Sequence, residues 1–402
     1  MTRTLFGTDG VRGVAGRDPM RAETAFALGR ATTERLRERL ERAPRLLIGM
    51  DTRRSGPMLA YAFASGAMAR GAHVTWAGVI PTPGVAFLTG RLEADAGVVV
   101  SASHNPFEDN GIKIFGAGGR KLPDGEELTI EAWLSRTTED EPGRTGDEIG
   151  TFDAHPSDDG AYAAFLLTHA PYLDGLRVGL DCANGAASRL APARVEKIGA
   201  RLQTIHDRPD GVNINRDCGS THPDAIRAFV TKHGLDVGVT FDGDADRALL
   251  VDRRGRLVTG DHMLAIVASV RHDRELVATV MTNLGIERWL QGRGVTVHRT
   301  QVGDRYVLQE LHRRGLRLGG EASGHLLFLD KAPTGDGLLT ALQVLAAVRA
   351  SNRSLEAWMD DIPTYPQLLR NVPVAADQRS RVAVDPDVSR AVRDAEADLG
   401  ED

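Results

Sequence analysis

Cysteine is nearly missing from this chain. Cys182 and Cys218 are the two among 402 residues, too few for a disulfide framework and in keeping with a reducing cytoplasm. No stretch approaches the ~20 consecutive apolar residues that span a bilayer. The N-terminal MTRTLFGTDGVRG lacks the apolar core of a signal peptide. Excess positive charge is missing too. The formal net charge is −6, which argues against a polyanion-binding surface and so against nucleic acid as a partner. Several chemistries are absent by motif. There is no GxxxxGK[ST] phosphate loop, no HExxH, no paired CxxC and no GxSxG nucleophile elbow, and GAGGRK (Gly116–Lys121) lacks the third glycine of a dinucleotide fingerprint.

What remains is ordinary for a globular protein, 42% hydrophobic and 26% charged. Glycine stands out at 44 residues, above the usual ~7%, and it gathers at strand ends. The chain alternates apolar strands with helix-like stretches. Strands are expected at Arg45–Met50, Val74–Trp76, Gly97–Val100, Val178–Leu180, Val237–Phe241, Leu276–Met281 and Val295–His298. Helices are expected at Ala22–Glu41, Pro57–Arg70, Ala191–Ile198 and Leu338–Ala350. This alternation points to an α/β fold with covering helices. A long-period repeat runs through it. LLIGMDTR, RVGLDCANG and VATVMTNLG each read as a strand entering a polar loop, and each is followed by a second strand with a richer loop: SASHNP, FDGDADR and GGEASGH. Ligands sit beyond the carboxyl ends of such strands, so three related modules with mixed sheets around a central cleft would bring three chemical loops together. Polar stretches set the expected boundaries: 1–150, 151–254, 255–366 and an incomplete fourth segment, 367–402.

The chemistry follows from the loops. Asp242, Asp244 and Asp246 alternate after the apolar run VGVTF, so an extended backbone aims their carboxylates to one side. Three like charges need a cation, and an all-oxygen set suits Mg²⁺. An EF-hand is excluded, because its sixth and twelfth positions would be Arg247 and Arg253. In SASHNP, Ser103 is either a turn residue or a nucleophile. A metal at the aspartates would favour phosphoryl transfer there, with Arg12 and Lys113 adding positive charge. In GGEASGH, the small residues let the backbone approach a ligand. Glu321, Ser323 and His325 either grip sugar hydroxyls or simply shape a turn, and His325 suits acid–base work near neutral pH.

Taken together, SASHNP, DGDADR and GEASGH, in this order and spacing, resemble the α-D-phosphohexomutases. FGTDGVRG (Phe6–Gly13), SASHNPFEDNGIKIF and VGDRYV (Val302–Val307) resemble the branch acting on glucosamine phosphates. The resemblance implies four domains around a cleft. It implies a phosphoserine at Ser103, with His104 beside it, and Mg²⁺ held by Asp242, Asp244, Asp246 and a Ser103 phosphate oxygen. It implies Arg12, Lys113 and Arg247 around the transferring phosphoryl group, and Glu321, Ser323 and His325 on the sugar. The implied reaction interconverts glucosamine 6-phosphate and glucosamine 1-phosphate through a bound 1,6-bisphosphate, for UDP-N-acetylglucosamine and cell-wall precursors. Glucose or glucosamine 1,6-bisphosphate would serve as activator. The implied setting is cytoplasmic, with no membrane partner, and pairing with a second copy stays open. Phosphomannomutase or phosphoglucomutase activity, or phosphosugar binding without catalysis, are the other readings of the same residues.

Two departures bear on this. Ala245 stands where many relatives have glycine, with little effect expected because the metal ligands are untouched. The family's final R-x-S-G-T-E-P phosphate loop does not occur before the last residues, AEADLGED. The chain therefore reads as a truncated member, expected to hold the non-reacting phosphate weakly. Its last segment reads as a strand, Asn371–Ala375, and a helix. Asp385 is the N-cap, Pro386 the first-turn proline, Gly400 the stop, and Val388, Ala391, Val392, Ala395 and Leu399 form an apolar stripe.

Overall fold

The computed structural model describes residues 5–7, 9–136, 143–154, 159–370, 372–375, 378–382 and 384–399. The expected boundary stretch Ser135–Gly150 falls partly outside them.

Three sheets follow one another along the chain. The first contains β1 (Val11–Val14), β2 (Arg45–Met50), β3 (His73–Val79), β4 (Ala96–Val100), β5 (Asp109–Gly116), β6 (Arg120–Lys121) and β7 (Phe152–Ala154). The second contains β8 (Arg177–Asp181), β9 (Arg201–Ile205), β10 (Val237–Phe241), β11 (Ala248–Asp252) and β12 (Leu257–Val258). The third contains β13 (Glu275–Thr279), β14 (Thr296–Thr300), β15 (Leu318–Gly320) and β16 (Leu326–Phe328).

The repeat read in the sequence is a repeat of topology. The orders β3-β2-β4-β5, β9-β8-β10-β11 and β14-β13-β15-β16 share one pattern, in which the first three strands are parallel and the last is antiparallel. Each chemical loop closes the antiparallel pair at the carboxyl end of a parallel strand. Parallel strands buried on both faces read as continuous apolar runs, and β4 (AGVVV) and β10 (VGVTF) are buried along their whole length.

Alternating residues of β4 feed opposite faces. Val98 and Val100 pack with Leu28, Leu59 and Phe63 from helices Ala22–Arg37 and Gly56–Met68, while Val99 packs with Val85, Ala86 and Leu88 from helix Thr82–Arg91. The second and third sheets share one core. Val178, Leu180, Val239 and Phe241 lie in the same apolar cluster as Leu276, Ala278, Leu318 and Phe328, bridged by helices Gly260–Arg271 and Gly337–Ala350. That shared core fixes the FDGDADR and GGEASGH loops relative to each other.

Chain contacts separate residues 1–364 from 365–402. In the second unit the expected strand does not form: residues 372–375 are in coil, Val372 is 77% exposed, and Asn371 is outside the described residues. A strand needs a partner for its backbone groups, and none pairs with it among the described residues. The expected helix does form, Pro386–Leu399, with the Asp385 carboxylate accepting from the Asp387 and Val388 amides. Its stripe buries nothing, and Leu399 is 81% exposed.

One buried histidine in the first unit makes a pH test. His262 Nδ1 accepts from the Thr259 amide at 3.3 Å, closing the cap of helix Gly260–Arg271, and its Nε2 meets Thr364 Oγ1 at 3.2 Å. Burial, helped by Arg256, pushes its pKa down to about 4. The unfolded chain then binds more protons than the folded one between pH 6.5 and 4, so stability falls as pH falls through that window. At pH 5 this amounts to about 2 kcal/mol. His262→Gln keeps a capping acceptor and removes the titration. Urea unfolding at pH 7.5 and 5 should show the variant losing about 2 kcal/mol less on acidification than the parent chain.

Candidate active site

The SASHNP loop leaves β4 and turns sharply. Ser103 is in the left-handed region (φ 52°) and its amide donates to Ser101 Oγ at 2.9 Å. This conformation costs a non-glycine residue about 1 kcal/mol and is over-determined from below. Asp51, just past β2, is fully buried. It accepts from Ser101 Oγ at 2.6 Å and from the Arg53 amide and Nε at 2.9 and 2.8 Å. The Arg53 guanidinium, also buried, donates to the carbonyls of Ser103 (2.9 Å), Asn105 (2.8 Å), Asp109 (2.9 Å) and Pro106. Asn215 of the second module adds a donor from the other side, reaching the Ser103 and Asn105 carbonyls at 2.8 and 3.0 Å.

Ser103 is 1% exposed, and its hydroxyl donates to Asp242 Oδ2 at 2.6 Å. The three aspartates are buried with ligand-capable atoms within 4.8 Å of one another. They do not converge by strand alternation. The loop is a tight turn between β10 and β11, closed by the Ala245 amide on the Asp242 carbonyl (3.1 Å), with Ala245 at φ 56°. Alanine thus occupies a left-handed position that glycine fills more cheaply. Gly243 has a different reason: a Cβ there would stand 2.5 Å from the Ser103 carbonyl, so only glycine lets the two loops touch.

Compensation of the acidic cluster is partial. Lys113 Nζ lies 3.0 Å from Asp244 Oδ2, 3.0 Å from Asp9 Oδ2 and 3.8 Å from Asp246 Oδ2, and Thr82 Oγ1 donates to Asp244 Oδ2 at 2.7 Å. His325 Nδ1 is 3.7 Å from Asp246 and its Nε2 3.6 Å from Asp304. Burial raises Asp242 well above the usual carboxylate range, and repulsion from Asp246 and Asp244 adds to it. Burial would raise Asp246 as well, but His325, Lys113 and Arg247 outweigh it and hold that carboxyl well down. Burial alone would lower Lys113 and His325, yet Asp244 and Asp9 raise the first and Asp246 raises the second. Burial, then Arg247 and Arg12, lower His104, whose Nδ1 is 3.4 Å from Ser103 Oγ. Asp244 Oδ1 and Asp246 Oδ1 are buried without a hydrogen-bond partner. Such oxygens are costly, and with the all-oxygen donor set they fit a bound Mg²⁺.

Above this cluster is a cavity of about 460 Å³, lined by Arg12, His104, Asp246, Arg247, Asp304, Tyr306, Glu321 and His325 among others. The structure therefore brings Ser103, His104, Lys113, Arg12, Arg247, the three aspartates, Glu321 and His325 together. Ser323 is the exception: it is exposed and does not line this cavity. Nor do the small residues of GGEASGH open the backbone to a ligand at Gly324. That residue (φ 92°) is required because a Cβ would meet the Ala248 carbonyl at 2.1 Å, which packs the loop onto β11. Glu321 instead accepts from the Gly303 amide at 2.9 Å.

Sequence reasoning missed Asp9, Asp51, Arg53, Thr82, Asn215 and Asp304 as members of the site. Asp9 and Asp304 lie inside FGTDGVRG and VGDRYV, and a charged pair in DTR directly after an apolar strand was the signal for Asp51 and Arg53. Asp9 is pulled well down, because Lys113, Lys121 and Arg12 outweigh its burial.

Family models describe three stretches of this chain: phosphoglucomutase/phosphomannomutase alpha/beta/alpha domain I at residues 3–141, domain II at 162–255 and domain III at 259–365. A phosphoglucosamine mutase from Deinococcus deserti is 52% identical over 397 residues, 99% of this chain and 89% of the relative. A phosphoglucomutase/phosphomannomutase family protein from Burkholderia thailandensis superposes with TM-score 0.77 at 25% identity, over 90% of this chain and 80% of that one. Aspergillus fumigatus N-acetylphosphoglucosamine mutase, solved with GlcNAc-6P and magnesium, superposes with TM-score 0.61 at 16% identity, over 91% and 81%.

The Arg53 clamp predicts a stability effect. Arg53→Met removes the partner of the buried Asp51 carboxylate and one donor from each of four carbonyls, of which those of Ser103 and Asn105 keep Asn215 and that of Pro106 keeps the Asp109 amide, at a cost of about 3–5 kcal/mol. The double variant Asp51→Asn/Arg53→Met should recover part of that loss in urea unfolding, because the orphaned charge is gone. A single-variant loss below 1 kcal/mol would contradict the clamp.

Proposed function

The chain belongs to the phosphoglucomutase/phosphomannomutase family, in its phosphoglucosamine mutase branch, and we infer that Ser103 carries the phosphoryl group it transfers. The observation that supports this most is the 2.6 Å contact between Ser103 Oγ and Asp242 Oδ2, beneath a cavity lined by sugar-compatible polar groups. Asp242, Asp244 and Asp246, with a phosphate oxygen on Ser103, would hold Mg²⁺. When bound, that ion neutralises charge on the transferring phosphoryl group.

The chain's own residues do the rest. The cavity takes glucosamine 6-phosphate with its C1 hydroxyl toward Ser103. The bond between Ser103 Oγ and phosphorus breaks as the C1 oxygen bonds to phosphorus, and the hydroxyl proton ends on Ser103 Oγ. His104, kept neutral and 3.4 Å away, is placed to pass that proton. Lys113 and Arg247 stay cationic, so they stabilise charge rather than accept a proton. The 1,6-bisphosphate turns over in the cleft. Ser103 Oγ then takes the phosphoryl group from O6, leaving a C6 hydroxyl and glucosamine 1-phosphate. Glu321 and His325 face the sugar from the third module and order it during both transfers.

With Mg²⁺ and glucose 1,6-bisphosphate as primer, the chain should convert glucosamine 6-phosphate to glucosamine 1-phosphate with a higher kcat/KM than for glucose or mannose phosphates. A preference for either of those would select a different sugar specificity. Asp244→Asn should lower kcat by about 10²–10³-fold, the usual cost of losing one preorganised electrostatic group. Circular dichroism should report an unchanged fold. Full activity of that variant, or of the parent chain in excess chelator, would contradict the role of the aspartates.

A further inference from the structure

We infer that Asp181, His206 and Cys218 form a second metal site, for a thiolate-binding divalent cation such as Zn²⁺. The three residues converge from separate places in the second module. Asp181 ends β8, His206 follows β9, and Cys218 lies in the loop that runs back toward helix Asp224–His233. One ligand atom from each lies within 4.8 Å of the others, and His206 Nδ1 is 3.1 Å from Asp181 Oδ1. Tetrahedral Zn²⁺ with O, N and S ligands places those atoms about 3.3–3.6 Å apart, so the widest gap has to close by only about 1 Å. An imidazole, a carboxylate and a thiolate form a donor set that Zn²⁺ accepts and Mg²⁺ does not favour.

The surroundings are those of a held site. Asp181 and Cys218 are fully buried, and the His206 side chain is 32% exposed, which leaves an entry route on its side. The Asp181 carboxylate is oriented by the Ala183 and Gly219 amides at 2.9 and 3.0 Å, the kind of outer support that orients metal ligands. Asn184 Nδ2 points at Cys218 Sγ from 4.0 Å. His206, Ala183, Asn184, Asn215 and Asp217 all hold left-handed backbone conformations around the cluster. Burial, with Asp181 and Asp217 nearby, pushes the Cys218 thiol up to about 12. A cation placed among these same groups reverses that balance: the thiol proton and the proton that His206 Nδ1 shares with Asp181 both leave their ligand atoms, and a Zn²⁺–imidazole–thiolate–carboxylate site of no net charge results.

The position gives the site a structural consequence. Asn215, whose side chain holds the Ser103 carbonyl, donates its amide to the Ala183 carbonyl at 2.9 Å, and Thr52 Oγ1 donates to the Asn184 carbonyl at 2.6 Å. A metal here would fasten the loops that brace the SASHNP turn from behind.

Cobalt makes the test direct, because thiolate ligation gives Co²⁺ a charge-transfer absorption that oxygen ligation does not. The full chain, with Mg²⁺ in large excess to fill the aspartate triad, is titrated with Co²⁺ and then with Zn²⁺. One equivalent of Co²⁺ should develop the thiolate band, and Zn²⁺ should abolish it. Cys218→Ser should lose the band, whereas Cys182→Ser and Asp244→Asn should keep it. Absence of the band in the parent chain, or its survival in Cys218→Ser, overturns the site.

Discussion

Three carboxylates buried within 4.8 Å of one another are the constraint around which the candidate site is arranged. Like charges at that separation and burial repel strongly. The response is visible in opposite directions at neighbouring residues: Asp242 is pushed up while Asp246 is held down by His325, Lys113 and Arg247. Protein cations reach one side of the cluster. Asp244 Oδ1 and Asp246 Oδ1 are buried without a hydrogen bond, the second with Arg247 Nε 3.7 Å away, and such oxygens fit an added cation. The residues that would serve catalysis are thus also those that let the fold tolerate its own acidic centre.

The repeated topology explains how three distant sequence stretches reach one place. Each module delivers its loop from the same structural position, between a buried parallel strand and an antiparallel partner. Contacts between loops are made by backbone as much as by side chains. Gly243 against Ser103, Gly324 against Ala248, and Asn215 on the Ser103 carbonyl are fits that a single added methyl or a lost amide would disturb. Arg53 supplies the rigidity on the first module's side, spending a fully buried charge on four carbonyls of one loop.

Much of this was legible in the sequence because it was written in periodic or local signals. Buried parallel strands such as AGVVV and VGVTF announce themselves as apolar runs and gave the α/β class, whereas the strand entering GGEASGH, Leu318–Gly320, is three residues of LGG and was not among the expected strands. The carboxylates were legible as a cluster, although the backbone that gathers them was misread. A turn with left-handed Ala245, not an extended strand, aims them, and a turn of that kind has no periodic signature. Arg53 left only a weak signal, its place in DTR directly after an apolar strand. A buried arginine and an exposed one look identical until the four carbonyls it serves are brought to it by folding. The strand expected at Asn371–Ala375 failed because strand character is a property of a pair, and residues 372–375 have no pairing partner among the described residues.

The central claim is that the folded chain presents Ser103, and no other hydroxyl, to the phosphoryl group. Ser101 offers the sharpest control, since it lies two residues away in the same loop but is fully buried and donates to Asp51. The direct measurement is peptide mapping by mass spectrometry after the chain is incubated with Mg²⁺ and glucose 1,6-bisphosphate. The account predicts a single phosphate per chain, located on Ser103. Phosphate on Ser101, or none on the SASHNP peptide, would contradict it.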